Sequence, residues 1–163
     1  MSDPAQILAG DAWSFVAASR RATLATIDSQ GRPRLVPVCF VLRGGAGAEL
    51  PEQPRLYTPL DEKPKRVVDP HTLARVRDLL ARDDAQLLVD RWDEDWSHLG
   101  WVRLHGHAQI LEPDGTAADE RDTAIRALRA KYPQYRRHRL EARPLIRILV
   151  TRASSWGRLG LRA

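Results

Sequence analysis

The order of strand-like and helical segments constrains the fold most strongly. "RATLATID" and "RLVPVCFVLR" have strand character, and "SQGRP" supplies a turn between them, so residues 21–43 predict a β-hairpin. The complete predicted order is helix, three strands, helix, two strands, helix, strand. Because few strands are joined by helical crossovers, a doubly wound parallel sheet is disfavoured. The sequence predicts a mainly β protein: a six-stranded antiparallel barrel with its helices packed outside. The other four predicted strands are "RLYTP", "AQLLVDRW", "GWVRLHGHAQIL" and "RPLIRILVTRASSW".

Capping residues and prolines mark the three predicted helices. Asp3 and Pro4 open the first helix, and Asp69 and Pro70 precede the second. Pro37 lies inside the second predicted strand and removes one ladder donor, so that strand is expected to be at an edge or bulged. No repeat or linker divides the chain, which predicts one domain over residues 1–163. The helical segments are "PAQILAGDAWSFVAAS", "HTLARVRDLLARD" and "GTAADERDTAIRALRAKYP".

Composition limits the compartment and the partners. No apolar run approaches the roughly 20 residues that span a bilayer, so no membrane role is expected. Asp3 and Asp11 lie where a signal peptide would carry basic residues, which favours a cytoplasmic location. The single cysteine, Cys39, excludes an intrachain disulfide. The net charge of +5 favours an anionic partner, but the cations are interspersed with 21 acids and form no basic stripe. Nucleic-acid binding is therefore not expected.

No catalytic motif is present, and two groups of potential metal ligands have simpler explanations. His105 and His107 have the i, i+2 spacing that points both side chains to one face of a strand, but no third ligand is identifiable. A second group consists of acidic residues that are also typical of a solvated loop. No metal site is predicted. The acidic residues are Asp90, Asp93, Glu94 and Asp95.

The segment "TPLDEKPKRV", residues 58–67, raises the question of an anion site. Three cations, Lys63, Lys65 and Arg66, follow directly after a predicted strand that ends at Thr58. Two prolines in the segment restrict the backbone and lower the entropy cost of ordering it. Cations beside a hydroxyl and backbone amides suit a phosphate. A solvated loop is the alternative, and the sequence pattern alone does not decide between an anion site and a solvated loop.

Three tryptophans lie within ten residues of one another: Trp92, Trp96 and Trp101. Tryptophan is abundant in oligomer interfaces, and it also forms walls beside planar ligands. The two interpretations are compatible if a ligand lies at a subunit interface.

The order of several segments resembles the flavin- and deazaflavin-binding split β-barrel superfamily, which includes the pyridoxamine 5′-phosphate oxidase-like proteins. The resemblance covers about residues 10–156, and "DEKPKRV" followed by "LLVDRWDEDWSHLGWVRLHGHA" is most similar to the F420-dependent branch. The other segments that carry it are "ATLATIDSQGRPRLVPVCFVL", "LYT" and "LARVRDLLARDDAQLLVD".

This resemblance implies a homodimer with two cofactor clefts at the subunit interface. It places Pro37 and Val38 beside the tricyclic ring of the cofactor. It assigns the phosphate end of the cofactor to Tyr57, Thr58, Lys63, Lys65 and Arg66. It also implies that four residues approach from the other subunit: Trp92, Trp96, Trp101 and Arg103.

The implied activity is that of an F420-dependent oxidoreductase, with hydride passing from the reduced deazaflavin to an unidentified small organic acceptor. FMN is the alternative cofactor, but Thr58 is followed by "PLDEKPK" where FMN-binding relatives often show a run like "TN-x-S-R-K". The C-terminal "SSWGRLGLRA" lacks the extended end of true pyridoxamine phosphate oxidases, which disfavours that activity. A non-enzymatic flavin or haem binder is the remaining alternative. The resemblance identifies no acid or base residue.

Overall fold

The structure is a computed structural model that describes Leu8 and residues 10–44, 53–60 and 69–160 of the 163-residue chain. The described part contains three α-helices, seven β-strands and several short 3-10 turns. The predicted helix start at Pro4 lies outside the described residues. The helices are α1 (Gly10–Ala18), α2 (Ala74–Ala81) and α3 (Ala118–Lys131). The strands are β1 (Ala22–Ile27), β2 (Pro33–Val38), β3 (Val41–Arg43), β4 (Arg55–Pro59), β5 (Asp84–Arg91), β6 (Gly100–Leu111) and β7 (Leu145–Gly157).

All seven strands form one antiparallel sheet in the order β2-β1-β5-β6-β7-β4-β3. The hairpin predicted from "SQGRP" is confirmed, because β1 and β2 pair from Ala22↔Val38 to Ile27↔Pro33. Gly31 turns the chain there with a φ of +77°, a conformation that glycine adopts at little cost. The mainly β, antiparallel architecture is therefore as the sequence predicts.

The predicted strand count of six is wrong, because the segment "RLVPVCFVLR" forms two strands. The chain leaves the ladder at Phe40, whose backbone groups bond to the hydroxyl of Tyr132 instead of to a strand. The Phe40 N–H donates to the Tyr132 Oη at 3.0 Å, and the Phe40 carbonyl accepts from the same hydroxyl at 2.9 Å. The Phe40 side chain is fully buried. One continuous apolar run is thus divided between β2 and β3 by a residue 92 positions away.

The division of this run explains how the sheet curls. β2 and β3 are the two outermost strands of the sheet, yet only Cys39 and Phe40 separate them along the chain. Three residue steps reach at most about 11 Å, so the two edges must approach each other at this point. The sheet is therefore a curled half-barrel. Pro37 lies on the edge strand β2, as its missing donor predicts.

Two apolar clusters stabilise the sheet from its concave and helical sides. The larger cluster lies within the half-barrel and includes Trp13 and Val16 of α1 and Val76 and Leu79 of α2. The smaller cluster packs α3 against β4 and β7 and includes Tyr132, whose hydroxyl bonds to Phe40 between β2 and β3. Among the helices that the structure describes, none combines the length and apolar character that a membrane crossing requires.

Candidate functional site

One side of the sheet carries side chains that no element of the described chain covers, and we call it the open face. It is formed by the outward residues of five consecutive strands, because side chains alternate along each strand. The strand registers place Pro37, Thr23, Leu88, Arg103 and Ser154 in one row across the sheet. The next row is Leu35, Ala25, Gln86, His105 and Arg152, and a third contains Asp90, Trp101 and Trp156.

The open face carries several large apolar side chains that are exposed to water. Leu35 is 67% exposed, Leu88 39% and Trp156 55%. Several exposed apolar side chains on one face commonly mark an interface or a ligand surface. The described residues therefore present a flat, partly aromatic surface rather than a closed active-site cavity.

Trp101 and Arg103, two of the predicted site residues, lie together on this face. The Arg103 guanidinium lies 5.6 Å from the centroid of the Trp101 ring, within cation–π range. With Leu88 and Asp90 they line a shallow pocket of about 280 Å³. An aromatic plane and an aliphatic wall, with Arg103 and Asp90 at the rim, suit one edge of a planar ligand.

Pro37 and Val38 occupy opposite sides of the edge strand. Pro37 is exposed on the open face, in the same row as Leu88 and Arg103, whereas Val38 is 8% exposed and packs into the core. The proline has no N–H, so a ligand lying beside this strand would leave no ladder donor unsatisfied there. The backbone and ring of Pro37 are accessible to a planar group, but the Val38 side chain faces away from the open face.

Tyr57 and Thr58 lie on β4, near the point where the two sheet edges approach. Val41 pairs with Tyr57, so the end of β2 and the end of β4 are brought to the same region of the half-barrel. Thr58 is 3% exposed and shares a side of β4 with buried Leu56 and Leu60. The remaining predicted phosphate ligands, Lys63, Lys65 and Arg66, fall in residues 61–68, outside the described residues, so their role stays a prediction.

The hydroxyl of Tyr57 is already engaged by α3. It donates to the Glu120 carboxylate at 2.5 Å, and Arg147 donates to both oxygens of the same carboxylate at 3.0 and 2.8 Å. Burial, and then the hydrogen bond to Glu120, raise the pKa of Tyr57 well above its ordinary value. Burial alone would raise the pKa of Glu120, but the donors on Tyr57 and Arg147 hold it below its ordinary value. This group therefore anchors α3 to the sheet.

The two loop tryptophans lie apart from the open-face pocket. Trp92 follows β5 and is 68% exposed, and Trp96 begins a 3-10 turn and is 72% exposed. Within one chain, neither lines the pocket at Trp101 and Arg103. The predicted site residues that the structure describes thus form separate groups in a single protomer, and of these Pro37, Trp101 and Arg103 share one face.

Sequence reasoning missed several polar residues of the open face: Gln86, Arg152 and Ser154. The period-two alternation of β5 and β6 was a signal in the sequence, because it places Gln86 on one face with Leu88 and His105 on one face with Arg103. Arg152 gives no such signal, because a bulge in β7 sets its direction. His105 pairs with Arg152 and Gly106 pairs with Val150, which leaves Thr151 as the extra residue.

A metal site would need at least three ligand side chains of the described residues directed at one point. Among these residues, no three histidine, cysteine or acidic side chains converge on a point that could hold an ion. The rings of His105 and His107 lie 6.2 Å apart, edge to face.

A curled antiparallel sheet with an uncovered aromatic and basic face defines a split β-barrel protein. The chain belongs to the pyridoxamine 5′-phosphate oxidase family, whose model matches residues 11–157. Among curated proteins, none matches this sequence.

Solved structures of low sequence identity share the fold. A conserved hypothetical protein from Mycobacterium tuberculosis has a TM-score of 0.67 at 20% identity, covering 96% of this chain and 90% of that one. A heme binding protein from Mycobacterium smegmatis has a TM-score of 0.65 at 21% identity, covering 99% of this chain and 57% of that one. A FAD-binding protein from Mesorhizobium loti has a TM-score of 0.57 at 19% identity, covering 91% and 94%. At these identities the likeness shows the fold alone.

Proposed function

We propose that this protein is a homodimeric F420-dependent oxidoreductase that reduces a small organic acceptor. The observation that carries the proposal is the open face. There, Pro37, Leu88 and Trp101 offer a flat surface for a planar ring, and Arg103 lies at its side. When bound, the reduced deazaflavin supplies the hydride. The protein has to orient the ring, exclude water from it and hold its anionic end.

The anionic end of the cofactor is assigned to the segment after β4. Lys63, Lys65 and Arg66 follow Thr58 in the sequence, and β4 ends near the open edge of β2. The Tyr57 hydroxyl donates to Glu120, so we assign Tyr57 no direct contact with the phosphate; it holds β4 in place beside the site. Each charge-assisted contact with a phosphate contributes roughly 1.5–3 kcal/mol.

The experiment is a titration of the purified protein with F420, FMN and haemin in separate arms. We expect F420 to bind with a dissociation constant in the low micromolar range or below. Changing both Lys63→Ala and Lys65→Ala should weaken it by at least about a hundredfold. The control is Arg126→Ala, which removes a cation from the exposed side of α3. This variant should leave the F420 affinity unchanged. Lys131 is unsuitable as a control, because its amine lies 4.2 Å from the Phe40 ring centroid, inside the fold.

The three arms separate the alternatives. Stoichiometric FMN binding without F420 binding would move the assignment to a flavin enzyme. Lysine variants that bind F420 as tightly as the unchanged protein would place the anion elsewhere and make residues 61–68 a solvated segment.

A haem-binding function is the second candidate, and the histidines on β6 favour it. The His107 side chain is 50% exposed, and His105 lies near Thr151, with its Nδ1 3.4 Å from the Thr151 hydroxyl. An imidazole on an exposed sheet face has the chemistry of an axial iron ligand. A Soret band on haemin addition that disappears in His105→Ala or His107→Ala, without F420 binding, would select this function.

The dimer is proposed from the open face itself. A second copy packed there would cover Leu35, Leu88 and Trp156 and bring its own loop tryptophans near the first protomer's ring surface. Permanent interfaces of this kind bury on the order of 2,000 Å² or more in total. Trp92 and Trp96, which lie away from the pocket of their own chain, are then available to the partner's cleft.

A further inference from the structure

A second pocket on the open face is lined mainly by donors. It has a volume of about 340 Å³ and lies beyond the pocket at Trp101, along the same strands. Its polar lining residues are Gln86, Arg103, His105, Arg152 and Ser154, and no carboxylate lines it. Two guanidinium groups in a concavity that no carboxylate lines are favourable for an anion.

The strand registers place the two arginines close together on the open face. Arg103 pairs with Ser154 and His105 pairs with Arg152, so the arginines are diagonal neighbours on adjacent strands. The backbones of diagonal neighbours are about 7–8 Å apart, which is within reach of long side chains. Two guanidinium groups in this arrangement can therefore contact one oxyanion from two sides. Each guanidinium also has the planar fork that matches phosphate or carboxylate oxygens.

The bulge in β7 creates this arrangement. Up to Val150 the inward residues of β7 alternate regularly, and the extra residue Thr151 resets the alternation. Arg152 and Ser154 consequently face outward while Ala153 packs toward the core. Without the bulge, Arg152 would face the interior. β-Bulges commonly re-aim side chains beside functional sites.

The arginines are not consumed by ion pairs inside the fold. In residues 10–44, 53–60 and 69–160, neither Arg103 nor Arg152 has a carboxylate oxygen within 4.0 Å. Two carboxylates of the described residues lie near lining residues. An Asp84 oxygen is 3.7 Å from the His105 Nε2, and Asp90 lines the adjoining pocket together with Arg103. The remaining polar groups, the Gln86 amide and the Ser154 hydroxyl, are neutral donors.

We propose that this pocket binds the phosphate or carboxylate of a small-molecule ligand, with Arg103 and Arg152 as its two anion contacts. A pocket of about 340 Å³ is larger than a bare oxyanion. The ligand is therefore a small phosphorylated or carboxylated compound. The residues that line the pocket belong to one chain, so this inference does not depend on the identity of the cofactor. In the proposed dimer, the second copy on the open face would enclose the pocket at the interface.

The test is an NMR titration of the cofactor-free protein with inorganic phosphate, followed at the backbone amides of β6 and β7. Sodium chloride at matched ionic strength is the control for general screening. We expect saturable shifts around Arg103 and Arg152 with phosphate and none with chloride. Arg152→Gln should weaken phosphate binding by at least about tenfold. Arg152→Lys should weaken it less, since it keeps the charge but loses the fork. Arg126→Gln should bind as the unchanged protein does.

Succinate and the F420-loaded protein provide the other arms. Tighter succinate than phosphate binding would identify a carboxylate ligand, and the reverse order a phosphorylated one. If phosphate still shifts the backbone amide signals in the F420-saturated protein, the pocket binds a ligand separate from the cofactor. If these shifts are lost, the cofactor's own phosphate occupies the pocket. Absence of saturable shifts with either anion would overturn the proposal. So would an affinity in Arg152→Gln and Arg103→Gln that equals that of the unchanged protein. Because F420 affinity is measured separately, either proposal can fail alone.

Discussion

The phenolic oxygen of Tyr57 lies 2.5 Å from a carboxylate oxygen of Glu120, and this contact joins β4 to α3 across 63 residues of sequence. Arg147 of β7 completes the group by donating to both carboxylate oxygens. A strand residue that a family resemblance assigns to a cofactor phosphate therefore also holds a helix in place.

Tyr57→Phe should lower the free energy of unfolding by about 1.5–3 kcal/mol, because it removes a hydrogen bond to a charged acceptor. F420 affinity should change less than twofold, since the hydroxyl faces Glu120. Urea denaturation and an F420 titration of the same variant check both statements. A tenfold loss of F420 affinity with unchanged stability would show that the hydroxyl serves the ligand.

The same group predicts how acid affects stability. The pKa of Glu120 is lowered in the folded protein, so its contribution to stability is present at neutral pH and is lost as the pH falls through the folded pKa. Stability measured against pH should therefore fall less steeply below pH 4.5 in Glu120→Gln than in the unchanged protein. Parallel acid profiles for the two proteins would contradict this expectation.

Arg121 provides the second stability prediction. Its side chain is 3% exposed and donates to the backbone carbonyls of Leu111, Glu141 and Arg143 at 2.7, 3.1 and 3.1 Å. Arg121→Ala should cost about 3–4 kcal/mol, because it leaves buried carbonyls without a donor. Chemical denaturation measures the loss, and Arg126→Ala on the exposed side of α3 should cost less than about 0.5 kcal/mol.

Lys131 should give the protein an unusual response to alkaline pH. Burial lowers the pKa of Lys131 to about 8, and the described residues offer its amine no hydrogen-bond acceptor. In the unfolded chain the amine keeps its ordinary, higher pKa, so between about pH 8 and 10.5 the unfolded state binds more protons. Stability relative to Lys131→Met should therefore rise over this range by about 1–2 kcal/mol, allowing for partial solvent exposure. Thermal melts at several pH values check it, and a constant difference would refute it.

Among the glycines that the structure describes, Gly106 has the least room for a side chain. A Cβ at this position would lie 2.0 Å from the Leu149 carbonyl oxygen, beside the bulge in β7. Gly106→Ala should therefore destabilise the fold by about 3 kcal/mol or more. Gly31→Ala is the matched comparison, since nothing lies within 4 Å there and only its positive φ opposes alanine. That variant should cost about 1 kcal/mol. Equal melting temperatures would contradict the packing argument.

Leu88 tests the proposed dimer. It is 39% exposed at the centre of the open face, so Leu88→Asp should place a desolvated charge in the interface and convert the dimer to monomers. Leu80→Asp is the control, because Leu80 is 62% exposed on α2, away from this face. Light scattering over a dilution series measures the mass. A monomer in the unchanged protein, or a dimer in Leu88→Asp, would count against the open face as the interface.

The local elements of this protein follow from its sequence. Period-two alternation and turn residues predict the β1–β2 hairpin, and the predicted range of "GWVRLHGHAQIL" is the range of β6. Asp69 and Pro70 do precede the second helix, although Asp69 caps a short 3-10 turn and α2 begins at Ala74. Alternation and capping depend on residues a few positions apart, so a sequence displays them directly.

The tertiary structure decided where these elements end and which residues meet. The division of one apolar run into β2 and β3 depends on the Tyr132 hydroxyl, 92 residues from Phe40. The position of Arg152 beside Arg103 depends on a bulge that only the pairing of β6 with β7 reveals. Both are consequences of hydrogen bonds between distant segments. Sequence patterning determines the face of each strand, whereas these long-range bonds determine the register, and the register decides which side chains form a site.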